Sequence, residues 1–207
     1  MTDVRPAVHV ARGASFLFIQ SFVTSIVGAV GFGIIARLMT KTEMGVYVTL
    51  NLVFALAQIG SSFAFPSAAV KFIAELRGKN DKKGAAGAAF QIFRFTGVAS
   101  ILFGSFVFLF STQICYLLTR TIEYVEVFKI LALDLIFAGV LPSLNGIMIG
   151  LQKMRELAGL NIVAYTISKV LSIAFLLVNL GLWGVILGWL IGDLCGFLLF
   201  SGYILRS

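Results

Sequence analysis

Four charged side chains fall inside stretches of chain apolar enough to lie in a membrane: Arg94, Asp134, Lys169 and Asp193. A charge at the bilayer centre costs at least about 2.5–3.5 kcal/mol, so such residues face a bundle interior or a wet cavity and mark ion or substrate paths. Lys169 lies about twelve residues into its apolar stretch, near mid-depth, where reaching a headgroup is hard. An ammonium there can hold an anionic group; the plainer reading pairs it with Asp193 or Asp134 as a structural ion pair. Arg94 and Asp134 lie near the starts of their stretches, where snorkelling to the headgroups and a role in the interior weigh equally. Asp193 reads first as a structural partner. Asn51 and Gln58 are seven residues apart and share one helix face. Gln20 and Asn145 add further uncharged polar groups. Each suits an interhelical hydrogen bond, worth about 0.6–2 kcal/mol. As a set, Asn51, Gln58, Asp134, Asn145 and Asp193 suggest a hydrated interior that could line a cavity or couple an ion.

Other chemistry finds no support. No paired-carboxylate motif, metal-ligand cluster, nucleophile triad or phosphate-cradling glycine loop occurs, so neither an enzyme nor a cofactor is expected. The single histidine, His9, sits in the N-terminal tail and reads as solvated. Cys115 and Cys195 form no metal or redox motif. A net charge of +7 with pI 9.7 would suggest nucleic acid in a soluble protein. No folded domain presents the basic residues here, and they are better read as topology signals.

The elements that must position these residues follow from composition. Of 207 residues 59% are hydrophobic and 12% charged, with mean hydropathy +1.02. That leaves too little polar surface to cover a soluble domain. A transmembrane helix takes about 20 apolar residues. The gaps between charges include 24 uncharged residues between Arg12 and Arg37, 27 between Glu43 and Lys71, and 25 between Arg94 and Arg120. The spacing predicts an all-α integral membrane protein with six helices near 14–36, 44–70, 88–112, 130–151, 157–180 and 185–205. The first run is too long for a signal-peptide core, and no A-x-A pattern follows it. With the N-terminus cytoplasmic, ten Lys and Arg fall on the cytoplasmic side and three outside, which agrees with the positive-inside rule. Both termini are then cytoplasmic, in a multi-pass protein of the plasma membrane.

Gly184, Gly188, Gly192 and Gly196 recur every four residues along the last helix and make one slowly winding groove, which a neighbouring helix can approach closely. Pro66 late in the second helix and Pro142 within the fourth should kink them. Gly181-Leu182-Trp183-Gly184 reads as a tight turn between helices five and six.

The run ARGASFLFIQSFVTSIVGAVGFGIIARLMTKTEMGVYVTLNLVFALAQIGSSFAFPSAAVKFIAELRGKNDKKGA resembles the N-terminus of polysaccharide biosynthesis (oligosaccharide flippase) proteins. The telling pieces are IIARLMTKTEMGVY, the Gly60 region and AAVKFIAELRGKND; GLQKMRELAGLNIV and NLGLWGVILGWLIGD follow the same rhythm, and the resemblance covers nearly the whole chain. It implies membership of the multidrug/oligosaccharidyl-lipid/polysaccharide exporter superfamily. There, two six-helix lobes enclose a central cavity, and lipid-linked sugars cross the membrane by alternating access. On that footing residues 1–207 form one lobe, with lipid-linked oligosaccharide as substrate and membrane lipid around it. The partner would be a second six-helix lobe, either another copy or a separate chain; no nucleic acid is expected. Arg37, at a recurring family position, would hold the anionic head group with Arg94 and Lys169. The superfamily also allows a drug or cation extruder, which would use Asp134 and Asp193. A truncated, non-transporting assembly subunit is the remaining reading.

Overall fold

The computed structural model describes residues 4–62 and 65–206, with the side chains of 4–12, 205 and 206 excepted. His9, Arg5, Arg12 and Arg206 therefore have side chains outside the described residues, as does the pair 63–64 within the second expected span. The described chain is helical throughout: α1 (Val4–Leu38), α2 (Lys41–Ser62), α3 (Phe65–Gly78), α4 (Lys82–Leu109), α5 (Ser111–Thr119), α6 (Val125–Ala138), α7 (Leu141–Gly150), α8 (Met154–Leu177) and α9 (Gly181–Arg206). Six segments are long and apolar enough to cross a membrane, and the protein is an all-α membrane protein. Large apolar side chains such as Phe18, Ile59, Leu102 and Leu109 are more than half exposed, as lipid-facing residues should be.

The helices run further than the charge gaps suggest, because charged residues are good helix formers outside the bilayer. The polar segment after the second span is helical to Gly78 and turns only at residues 79–81. Three of the turns share one closure. Asn80, Gln152 and Asn179 each adopt positive φ, and the next N–H reaches back five residues, Asp81 to Leu76, Lys153 to Met148 and Leu180 to Phe175. This is the Schellman arrangement, for which asparagine is the best non-glycine residue. It corrects the expected Gly181–Gly184 turn: the reversal is made at Asn179, and Gly181 already starts α9.

The fourth span is broken. Pro142 lies in the first turn of α7, after a break at Gly139 and Val140. A proline has no N–H for the carbonyl four residues earlier. That carbonyl, of Ala138, is served instead by the Gln58 side-chain amide at 3.4 Å. Pro66 is the second residue of α3 as described. The broken fourth span packs on α3: a methyl at Gly146 of α7 would strike the Pro66 backbone, and one at Gly150 would strike Ile73.

The glycine groove of α9 is filled by α8. Methyls at Gly184, Gly188 and Gly192 would collide with Phe175, Ser172 and Ser168, and Gly196 faces Ala164. The Ser172 hydroxyl is shared between the carbonyls of Ser168 (2.8 Å) and Val185 (3.0 Å), so it ties the two helices. α1 lies chiefly against α8, through Gly13, Gly28 and Gly31.

Two apolar clusters form the core. One joins α2, α6 and α9 around Leu50, Phe128 and Ile186; the other joins α3, α7 and the ends of α8 and α9 around Ile73, Ile147 and Phe200. Between them each packed helix carries small or hydroxyl residues, among them Ser61, Thr96, Ser100, Ser143, Ser168 and Ser172, all buried. At one end Arg77 donates to the Leu151 carbonyl and joins the α3–α4 turn to the α7–α8 turn. At the other, Glu43 lies by Gly181 and also acts on Tyr124, whose phenol is held above its ordinary pKa by burial first, then by Glu123 and Glu43. The turns thus alternate between two ends, as an even number of crossings requires.

Candidate functional site: a lysine between aromatic rings beside a polar cleft

Lys169 lies about two-thirds of the way along α8, inside the span and half-buried. Its Nζ sits over the Tyr165 ring at 5.4 Å and the Trp189 ring at 5.5 Å. Tyr165 is one turn earlier on α8, and Trp189 comes from α9. Trp189 is braced edge-on by Tyr47 (5.6 Å between centroids) and Phe54 (5.8 Å) from α2. The stem of Lys169 runs along Gly31 of α1, where a larger residue would press on it. The negative faces of the two rings favour the ammonium by about 0.5–2 kcal/mol each. No ion pair to Lys169 forms among the described residues; those present are the exposed pairs Lys79–Glu75 and Lys129–Glu126. The expected structural ion pair is therefore not made at contact distance, although Lys169 and Asp193 feel each other's charge.

Tyr165 also lines a cleft of about 560 Å³ between α1, α7 and α8, walled by Gln20, Thr24, Ser25, Asn145 and Asn161. The side-chain oxygens of Gln20 and Asn145 are buried and accept no hydrogen bond. An orphaned buried acceptor costs about 1–3 kcal/mol, which a ligand bearing O–H or N–H groups would recover. Thus a cation and a set of neutral polar groups stand side by side in the membrane-spanning part of the bundle.

Asp134, on α6, is fully buried, and neither carboxylate oxygen has a hydrogen-bond partner. This corrects the snorkelling alternative, because α6 begins at Val125 and carries Asp134 well inside the bundle. Asp193, half-buried on α9, acts on it electrostatically. Lys169, Asp193 and Asp134 thus form a run of ionisable groups across three helices.

The remaining expected residues are scattered. Arg37 is exposed in the last turn of α1. Arg94 is exposed, about 18 Å along α4 from its start rather than near its beginning. Asn51 is exposed and donates to the Tyr47 carbonyl at 2.8 Å, and Gln58 is committed to Ala138, so their shared face does not form one polar wall. Thr24, Asn161 and Tyr165 were not expected. Their signal is a spacing of four: Gln20, Thr24 and Gly28 on α1 oppose Asn161, Tyr165 and Lys169 on α8.

Comparison with known proteins adds the family. No curated protein and no solved structure matches the chain. The model of one family, described as polysaccharide biosynthesis protein, matches residues 10–207. With that match running through all six spans, the chain belongs to the polysaccharide biosynthesis protein family.

Proposed function

We propose that the chain is one lobe of a flippase that moves a lipid-linked oligosaccharide across the membrane, with Lys169 holding the anionic head group and the neighbouring cleft meeting sugar hydroxyls. Family membership supports a membrane flippase or exporter role in general. The observation that carries the finer reading is Lys169: an ammonium inside the span held by rings, without a contacting carboxylate, beside orphaned amide oxygens. A diphosphate meeting that charge away from bulk water gains far more Coulomb energy than it would in water. Arg37 and Arg94, exposed on α1 and α4, join the site only from surfaces that a second six-helix lobe would face. That lobe is a second copy or a separate chain. Both termini lie on the cytoplasmic side of the plasma membrane in this reading.

The test is an accessibility assay for lipid-linked sugar in a deletion strain complemented with Lys169→Ala, Lys169→Arg and Lys169→Glu. Transport should fall at least tenfold with Ala and Glu and survive in part with Arg. Unchanged leaflet distribution in Lys169→Glu would overturn the reading.

The unpartnered carboxylate of Asp134 favours a second reading, a cation or drug extruder of the same superfamily. Under it, Asp134→Asn abolishes export of a cationic substrate while Lys169→Glu leaves it intact. Crosslinking with native gels distinguishes both from a lone assembly subunit: a paired twelve-helix unit fits transport, and a strict monomer does not.

A further inference from the structure

A second hollow lies away from Lys169, at the end of the bundle where the α3–α4 and α7–α8 turns meet. It encloses about 620 Å³ between α3, α4, α7 and α9. Its chemistry is divided. Arg77, Lys82 and Lys153 line it from the turns and helix ends, whereas Phe90, Phe93 and Ile147 line it from positions deeper in the spans. The three cations come from separate pieces of chain, and two of them are held in place. Arg77 donates to the Leu151 carbonyl, and Lys153 sits over the Tyr203 ring at 4.8 Å. Lys82 opens α4, where the helix dipole adds positive potential. Of the nearby acids, Asp81 is occupied, its carboxylate capping α4 by accepting from the Gly84 N–H at 2.8 Å, and Glu156, in the first turn of α8 and close enough to act on Tyr203, is exposed and leaves the three cations in excess. Ser201 of α9 also lines the hollow, and its hydroxyl oxygen is buried with no hydrogen-bond partner.

Three cations at the rim, one unsatisfied hydroxyl and an apolar floor facing the hydrocarbon describe the complement of an anionic amphiphile. We propose that this hollow binds one anionic phospholipid of the adjoining leaflet, with its phosphate between Arg77, Lys82, Lys153 and Ser201 and an acyl chain against Phe90 and Phe93. A free inorganic anion would leave the apolar floor uncovered, and a zwitterionic lipid would bring its own cation against three others. Basic pockets between helix ends are the usual setting for such headgroups. The site is independent of the transport reading: it shares no lining residue with the Lys169 cleft and involves no step of translocation.

The test is native mass spectrometry of the full chain released from nanodiscs of equal parts phosphatidylglycerol and phosphatidylcholine. One phosphatidylglycerol should stay bound through detergent exchange, and phosphatidylcholine should not. Removing the three charges together, Arg77→Gln, Lys82→Gln and Lys153→Gln, should weaken retention roughly a hundredfold. The same loss of charge at the opposite end, Lys41→Gln, Arg120→Gln and Lys129→Gln together, should leave it unchanged. Should the triple variant not fold, Ala86→Trp keeps every charge and obstructs the hollow from an exposed position, and it should also abolish retention. Equal retention of the two lipids, or retention by Ala86→Trp, would overturn the proposal. Preferential binding of a polyprenyl phosphate over phosphatidylglycerol, or of inorganic phosphate alone, would overturn the phospholipid as occupant.

Discussion

The α8–α9 seam and the α3–α7 seam are both built on glycines that admit no methyl, yet they differ in mechanics. In the first, two unbroken helices lie against each other along the four-residue glycine repeat, and Ser172 bonds across the contact. In the second, one partner, α7, is a ten-residue half-helix that follows the break at Gly139 and Val140 and carries Pro142 in its first turn. A long helix cannot yield at one contact without moving all the others, whereas a half-helix that ends at a break can swing. The comparison teaches where this bundle is stiff and where it can change shape. The stiff seam carries Lys169 and Trp189, and the compliant one runs down to the basic hollow.

The same substitution at the two seams tests this difference. Gly188→Ala places a methyl on the Ser172 backbone and should cost about 2 kcal/mol or more despite the gain in helix propensity, read as a fall in melting temperature of the detergent-solubilised protein. Gly146→Ala places one on the Pro66 carbonyl and should cost about 1 kcal/mol, because α7, set off by the break at Gly139 and Val140, can shift. Equal losses would erase the distinction. Next in size is Gln58→Leu, which orphans the Ala138 carbonyl and should cost about 1 kcal/mol or slightly less, given the long bond. In a Pro142→Ala background the cost should vanish, since residue 142 then supplies its own N–H to Ala138. A cost unchanged by that background would show that Gln58 acts otherwise. The smallest effect is expected from Ser172→Ala, about 0.6 kcal/mol, the mean for hydrogen bonds between membrane helices. A loss above 2 kcal/mol would mean that the hydroxyl, more than the glycine repeat, holds the stiff seam.

Much of this was legible before any coordinates. The repeat of Gly184, Gly188, Gly192 and Gly196 announces a close helix contact, because a period of four keeps nearly to one face. Pro142 announces a break in an apolar run long enough to span. Lys169 stands out because a charge at mid-depth needs a reason. What stayed hidden depends on side chains converging from distant segments. Nothing in the local sequence ties Gln58 to a carbonyl 80 residues away, or gathers Arg77, Lys82, Lys153 and Ser201 round one hollow. Arg94 misled because span limits drawn from charges start α4 too late and place the residue too near an end. Asn179 was overlooked because glycine nearby is the commoner helix stop.

The reliance of α1 on α8 has a consequence for biosynthesis. α1 leaves the ribosome before α8, and the surface it rests on begins only at Met154. At roughly 5–20 residues per second the wait is on the order of ten seconds. Throughout it, Gln20 and Thr24 stand in lipid or in the insertion machinery without their eventual neighbours. The newborn chain thus passes through a stage in which α1 is a lodger without a wall, and a chaperone that shelters polar membrane segments would find its client there.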